Sequence, residues 1–389
     1  MVVLNALIIW EARDAIARGY GDFSAFYTAG KILRAGQGAR LYDRKLQWEI
    51  QKNFAGSVRI RKGPLPYIRP PFHALLFWPL AYLSYPAASG AWISINVGIL
   101  IAIPFLLDSE PGLWAGAEGS LLCLSFFPAA FDLLQGQDAV LLLLLLVLAY
   151  RSLTRNADYR CGLFLGLGLF KFHLVVPLAL IFLIRKKFKI TLSFAVTGLL
   201  LLAASAAITG LAALLKYPRY VWQLSKTPSI AGMKPWGMPD TRGFLIQVGP
   251  KSLAHADWVF AGVVIAGALV VAAVWRPTAN MRLAAAGFSF AIVTTLVASY
   301  YANSYDLTIL LLPILLLDKR YLDEIGIAGK NRIVFFTLIA VILFTPLYWI
   351  SILRLDQFSW VALLLLLFAG SLIGMLKREP QALTVTSRD

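Results

Sequence analysis

Metal-ligating and redox side chains are nearly missing from this sequence, which has three histidines and two cysteines in 389 residues. The histidines form no HExxH pair, and Cys123 and Cys161 lie inside apolar segments without ligand spacing. No metal site and no cofactor are expected, and the cysteines read as small buried hydrophobes. Charge is scarce too, at 14%, and acids are the scarcer sign, 20 against 36 Lys and Arg. A formal charge of +16 raises the question of nucleic acid, but the cations sit in short tracts between apolar runs. That is the pattern of the positive-inside rule and not of a phosphate-binding face, so no nucleic-acid partner is expected. No repeat of 20 to 50 residues is visible, nor an inverted pair of Gly/Pro-broken segments, which weighs against solenoids and against many transporters. The opening MVVLNALIIW has no basic region ahead of it and no small-residue cleavage site, so a cleaved signal peptide is not expected.

What is abundant is apolar surface. Hydrophobic residues make up 59% of the chain and the mean hydropathy is +0.72, more than a soluble domain of this size can bury, so lipid is the solvent and membrane lipids are partners. The expectation is an all-α polytopic membrane protein forming one domain over 1–389. Apolar runs fall near 72–84, 87–107, 112–131, 137–150, 161–184, 189–214, 257–275, 282–298, 305–317, 333–353 and 358–376. With the first short segment they give about twelve spans, some of them short or broken. Two long polar loops interrupt them, 13–71 and 215–256. The first carries twelve Lys or Arg against four acids, an excess that does not fix the side of so long a loop. Orientation comes from the tight clusters Arg185-Lys186-Lys187-Phe188-Lys189, Arg276 with Arg282, Lys319-Arg320 with Lys330 and Arg332, and Lys377-Arg378. Placed in the cytoplasm, they put both long loops, the 300–305 turn and Asp356 on the external face. Strict alternation then leaves Arg151, Arg155 and Arg160 outside, a conflict that short or broken helices in 137–150 and 161–184 would remove.

Within the first loop, Phe23, Phe26, Tyr27, Gly30 and Leu33 recur at helical spacing with Lys31 and Arg34 off the stripe, as in an amphipathic helix lying in the membrane interface. Asp22 precedes it. As a cap its carboxylate would accept a backbone N–H; as a general base it would take a proton from an attacking hydroxyl. The two roles can coexist. Paired prolines at 70 and 71 stop one element and start another, leaving Arg69 and His73 at a span mouth, where Arg69 either binds phosphate or snorkels. Gln135-Gly136-Gln137-Asp138 and Lys171-Phe172-His173 are costly in apolar surroundings unless they pair or line a polar cavity, although His173 alone reads as a hydrogen-bonded core residue. Asp108-Ser109-Glu110 reads as a solvated turn before it reads as a metal-binding acidic pair. Lys216, Arg219, Trp222, Trp236 and Arg242 suit sugar stacking and phosphate contacts, and an interfacial aromatic belt explains the tryptophans equally well. Asp306 at the end of Tyr300-Tyr301-Ala302-Asn303-Ser304-Tyr305 either caps a helix or faces the same cavity.

Taken in order, Asp22-Phe23-Ser24-Ala25-Phe26-Tyr27 with Gly36 and Leu41-Tyr42-Asp43, then Arg69-Pro70-Pro71-Phe72 with Pro79, Gly136-Gln137, Gly162 to Lys171, and Tyr305-Asp306 resemble the membrane glycosyltransferases of family 87. These are polyprenyl-phosphate-mannose-dependent enzymes of the GT-C class. The resemblance covers most of the chain. It implies a GT-C fold, a catalytic aspartate in the first external loop at the position of Asp22, and inverting transfer. The donor would be a polyprenyl-phosphate sugar, mannose by this likeness, and the acceptor a lipid or glycan at the external face of a bacterial inner membrane. Candidates for the donor phosphate are Arg69, Lys171 and His173, and for substrate contact Tyr27, Gln137, Arg242, Tyr305 and Asp306. Two positions depart from the pattern: Phe172 follows Lys171 where proline is frequent, and Asp138 follows Gln137 where a shorter polar residue such as Asn is commoner. Transport of a lipid-linked saccharide, with Lys171, His173 and the pair Gln135 and Gln137 lining a path and Asp22 only capping, is the competing reading, and a non-catalytic membrane scaffold is a third.

Overall fold

The computed structural model describes residues 1–55, 63–107, 116–226, 238–248, 257–275, 281–317 and 360–385, with 337 and 340 as isolated positions. Asp108 to Glu110, Trp236, Arg276, Lys319, Arg320, Lys330, Arg332, Asp356 and nearly all of the run 333–353 lie outside them. Every regular element among the described residues is helical. By length and composition three helical stretches could cross a membrane, Tyr85–Leu106, Asp158–Ile184 and Phe188–Thr209, although the second folds back at a 3-10 segment and is not one straight helix. A fourth joins them if Gly116–Ser125 and Phe127–Gln135, bent by 65°, are one span, and shorter apolar helices include Val2–Glu11, Ala139–Thr154 and Ser304–Leu316.

The first loop is a folded subdomain and not a helix floating on lipid. After α1 (Val2–Glu11) and α2 (Arg13–Ala17) come α3 (Phe23–Arg34) and α4 (Arg44–Ala55). The helical spacing read from the sequence is α3, but its expected lipid-facing stripe is covered by protein: Phe23 to Gly30 and Ile32 are all buried. Its second face consists of Ser24, Ala25, Thr28 and Ala29, small enough for neighbours to pack there as well. Contact is closest at Gly30, where a Cβ would lie 2.3 Å from the carbonyl oxygen of Phe77. The aromatic stripe stacks on the run after the prolines, with Phe26 5.0 Å and Phe23 6.0 Å from the Phe77 ring and Tyr27 5.3 Å from Tyr85. The apolar run 72–84 is accordingly no span. Prolines at 70, 71 and 79 break it into a turn of 3-10 helix (Pro71–His73), α5 (Ala74–Phe77) and a second 3-10 turn (Pro79–Tyr82).

The bundle continues through α6 (Tyr85–Leu106), α7 (Gly116–Ser125), α8 (Phe127–Gln135), α9 (Ala139–Thr154), α10 (Asp158–Leu167), α11 (Phe172–Ile184), α12 (Phe188–Thr209) and α13 (Leu211–Lys226). The chain doubles back between α10 and α11. A Cβ on Gly162 would lie 2.2 Å from the Ile190 carbonyl oxygen, and one on Gly198 3.2 Å from Leu169, so α10 runs beside α12 in the same direction. Yet only a tight turn, closed by Lys187 N–H on the Phe182 carbonyl at 2.9 Å, joins the end of α11 to α12. A straight helix from 162 to 184 would separate those residues by about 33 Å, which that turn cannot span. The reversal falls at the 3-10 segment Gly168–Lys171, where Lys171 leaves helical geometry at φ −116 and ψ 58. The run 161–184 is thus two short passes. Arg151, Arg155 and Arg160 then share an end with Arg185 to Lys189, and the charge conflict raised by strict alternation disappears.

Two ends of the bundle follow. At one, Arg185 Nε donates to the Trp275 carbonyl at 3.0 Å. At the other, about 33 Å away along the 22-residue α12, Ser205 Oγ accepts the Phe72 N–H at 3.1 Å and Gly38 packs on the Ile208 carbonyl. Thr241 Oγ1 donates to the Val297 carbonyl at 2.7 Å, which brings the short helix Thr241–Val248 to the start of the 299–303 turn. The first loop, the described parts of the second and the 299–306 turn are contiguous through these contacts.

Candidate active site

Where these segments meet, charged side chains interlock at the seam between the aromatic cluster of the first loop and the main apolar core. Asp138 is the hub and is fully buried. Its Oδ1 lies 2.7 Å from an Arg69 terminal nitrogen and 2.9 Å from Lys171 Nζ, and its Oδ2 lies 3.1 Å from His73 Nε2. Lys171, also fully buried, pairs in addition with Asp306 Oδ1 and sits 4.9 Å from the Tyr305 ring centre. The cluster thus sets two cations against two carboxylates, the condition under which burying them is tolerable; removing one partner of such a pair costs about 3–5 kcal/mol. Burial holds the His73 pKa below its ordinary value, so the imidazole enters the balance as a neutral ring, stacked on Phe170 and met edge-on by Phe26.

The network reaches outward through Gln137. Its Oε1 accepts from Arg69 at 3.0 Å and its Nε2 donates to Asp22 Oδ2 at 2.6 Å. Asp22 is half-buried, whereas Gln137, Arg69, Asp138, Lys171 and Asp306 are all buried. It therefore forms the outward end of the chain of contacts.

Local structure explains the placement. Helix α8 ends in a left-handed Gly136 at φ 63, and a Cβ there would lie 2.6 Å from the Cβ of Phe23. Only glycine meets both demands, and the result is that Gln137 lies beside the start of α3. Trp92 Nε1 lies 3.1 Å from the Gly136 carbonyl and 3.0 Å from that of Gln137, while Asp132 Oδ1 accepts the Ala139 N–H at 2.9 Å. Arg69 is carried in by an extended strap that both loops grip. Tyr220, Tyr217 and Tyr42 hydroxyls donate to the successive carbonyls of Tyr67, Ile68 and Arg69 at 3.3, 3.0 and 2.8 Å. On the other side, Gln47 accepts the Tyr67 N–H at 3.3 Å and Gln51 brackets Leu65 with two bonds of 2.9 Å.

Of the residues singled out from the sequence, Asp22, Arg69, Gln137, Lys171, Tyr305 and Asp306 come together here. Asp22 stands at the N-cap position of α3, but its backbone is already helical at φ −66 and ψ −20 and its side chain makes no cap hydrogen bond, which corrects the capping reading. Asp306 caps, and it also joins the ion network. Its Oδ1 takes Lys171 and its Oδ2 accepts the Asn303 N–H at 2.7 Å in a capping box. Lys171 Nζ lies between two carboxylates, which balance its charge within the protein. His173 stands apart from the ion pairs, 6.5 Å from the Tyr301 ring. Tyr27 packs in the aromatic cluster and donates to the Leu83 carbonyl at 2.7 Å. Arg242 stacks at 4.2 Å on Tyr300, bordering the 299–306 turn. The sequence singles out Asp138 and His73 without assigning them to phosphate or substrate, and it does not single out Trp92. The first had the same signal as Lys171, an ionisable group between apolar runs; Trp92 had none, since one tryptophan in an apolar helix looks like any other.

A model of the family described as Glycosyltransferase family 87 matches residues 67–299, more than half of the chain. No curated protein and no solved structure match it.

Proposed function

We propose that this chain, which belongs to glycosyltransferase family 87, moves one sugar from a polyprenyl phosphate to a hydroxyl of a lipid or glycan, with Asp22 as general base. Membership carries glycosyl transfer. The observation that carries the assignment of the base is the 2.6 Å bond from Gln137 to Asp22 Oδ2, which fixes a half-buried carboxylate at the outward end of a buried ion network. In the proposed step the acceptor oxygen forms a bond to the anomeric carbon, its proton passes to Asp22, and the bond from that carbon to the phosphate oxygen breaks. The electron pair leaves on polyprenyl phosphate, an anion stable enough to need cations more than an acid. Arg69 is the cation proposed for that phosphate, because its Nε has no hydrogen-bond partner among the described residues; Arg242 is a second basic group on the same side. Mannose as the sugar, inversion, a GT-C architecture of about twelve spans and an active site on the external face of a bacterial inner membrane belong to the same proposal and are supported by the resemblance of the motifs.

The test is transfer by the purified full chain from radiolabelled polyprenyl-phosphate-mannose to membrane lipid extract, comparing wild type with Asp22→Asn. Because Asp22 does not cap, the amide should leave the melting temperature unchanged and lower transfer by about 10²–10⁴-fold. Transfer by the variant at the wild-type rate removes Asp22 from the chemistry, and a wild type active only with another lipid-phosphate sugar removes mannose.

A further inference from the structure

We infer that Gln137 is the positioning residue of the base, an amide whose orientation Arg69 dictates so that the Asp22 carboxylate is aimed before the acceptor arrives. This rests on the reading of Asp22 given above. A glutamine amide has one accepting and one donating end, and neighbours decide which faces where. Arginine can only donate, so Arg69, at 3.0 Å, selects Oε1, and Nε2 is left to face Asp22. Flipping the amide would set donor against donor at Arg69 and lone pair against lone pair at Asp22. Arg69 cannot yield, because Asp138 holds it at 2.7 Å and is itself tied to the buried Lys171. A donor fixed on a carboxylate favours its charged form. Both ends of the amide are engaged and the residue is 5% exposed, which takes Gln137 out of the role of sugar contact and puts it behind the base.

Tyr301 and Tyr305, from the 299–306 turn, feel the charge of Asp22. Arg69 and Asp138 stand one step behind Gln137, on the strap and on the α8–α9 turn.

Gln137→Glu keeps the size and the bond to Arg69 but puts a carboxylate oxygen where Nε2 now donates. Asp22 and the new carboxylate would share a proton, and the protonated form of the base would persist to higher pH. The experiment is the pH profile of kcat/KM for transfer from radiolabelled polyprenyl-phosphate-mannose by the purified full chain, for wild type and Gln137→Glu, normalised at the alkaline plateau. The donor is a phosphodiester without a second ionisation, so its phosphate does not shape the limb. The acid limb is expected to move up by about one unit, roughly a tenfold loss at a pH on that limb. The neutral Gln137→Met guards against a variant that fails to fold. It should lose about tenfold in plateau kcat with donor KM within about twofold. Superimposable profiles for wild type and Gln137→Glu, or a loss in Gln137→Met that falls wholly on KM, overturn the inference. If Asp22→Asn transfers as wild type does, the reading of the base fails and takes this one with it. If Asp22→Asn is inactive while both Gln137 variants behave as wild type, only the positioning role fails.

Discussion

Lys171 illustrates what a single side chain does in this molecule. The sequence offered it as a cation for a phosphate; in the fold its ammonium stands between the Asp138 and Asp306 carboxylates and is fully buried. Replacing it by Met would leave two buried like charges facing one another, and the expected cost is about 3–5 kcal/mol. Thermal unfolding of purified Lys171→Met in detergent should show a fall of several degrees. Adding Asp306→Asn should recover part of it, since the residues act as one unit and their effects are not additive; strictly additive losses would show that the pairing matters little. The charged members of the network were legible because an ionisable group between apolar runs demands an explanation. Which charge pairs with which was not, since 33 residues of sequence separate Asp138 from Lys171 and 69 separate it from Arg69.

Among elements, the α8–α9 turn matters most, because it sets Gln137 and Asp138 against the first loop. Gly136 is its critical point, with a positive φ and a Cβ position occupied by Phe23. Gly136→Ala should cost about 1–3 kcal/mol in stability from backbone strain and crowding together. Transfer should fall further than the unfolded fraction accounts for, because relief of the crowding pushes Gln137 from Asp22. A melting curve and an initial rate on the same preparation check both, and an unaltered rate per folded molecule would argue that the turn tolerates the shift. The periodicity of α3 was readable, as was the stop at Pro70 and Pro71. That α3 is covered on both faces was not, because small residues on the second face signal close packing only when the partner is in view.

The whole molecule has a direction. The two loops and the 299–306 turn gather at one end of α12, and Arg151, Arg155, Arg160 and Arg185 to Lys189 collect at the other. A cysteine placed at exposed Arg44 and one at exposed Lys189 should therefore react with an impermeant maleimide from opposite sides of the membrane in sealed vesicles, Arg44→Cys from the non-cytoplasmic side. The natural cysteines, both buried, give little background. Labelling of both from one side would undo the two-ended arrangement.

Composition pointed to lipid as the solvent, because 59% hydrophobic residues exceed what a soluble domain of this size buries, and apolar runs near the length of a helical span pointed to helices over a closed barrel. Ordered motifs pointed to the family, and charge between apolar runs pointed to Lys171 and the Gln137 turn. The reversal at Lys171, the pairing of Asp138 with Arg69 and Lys171, and the handing of Gln137 Nε2 to Asp22 were decided only by tertiary structure. Sequence shows that a buried charge needs a partner, but the partner is chosen by which helix ends packing brings within about 3 Å, the range in which a hydrogen bond forms.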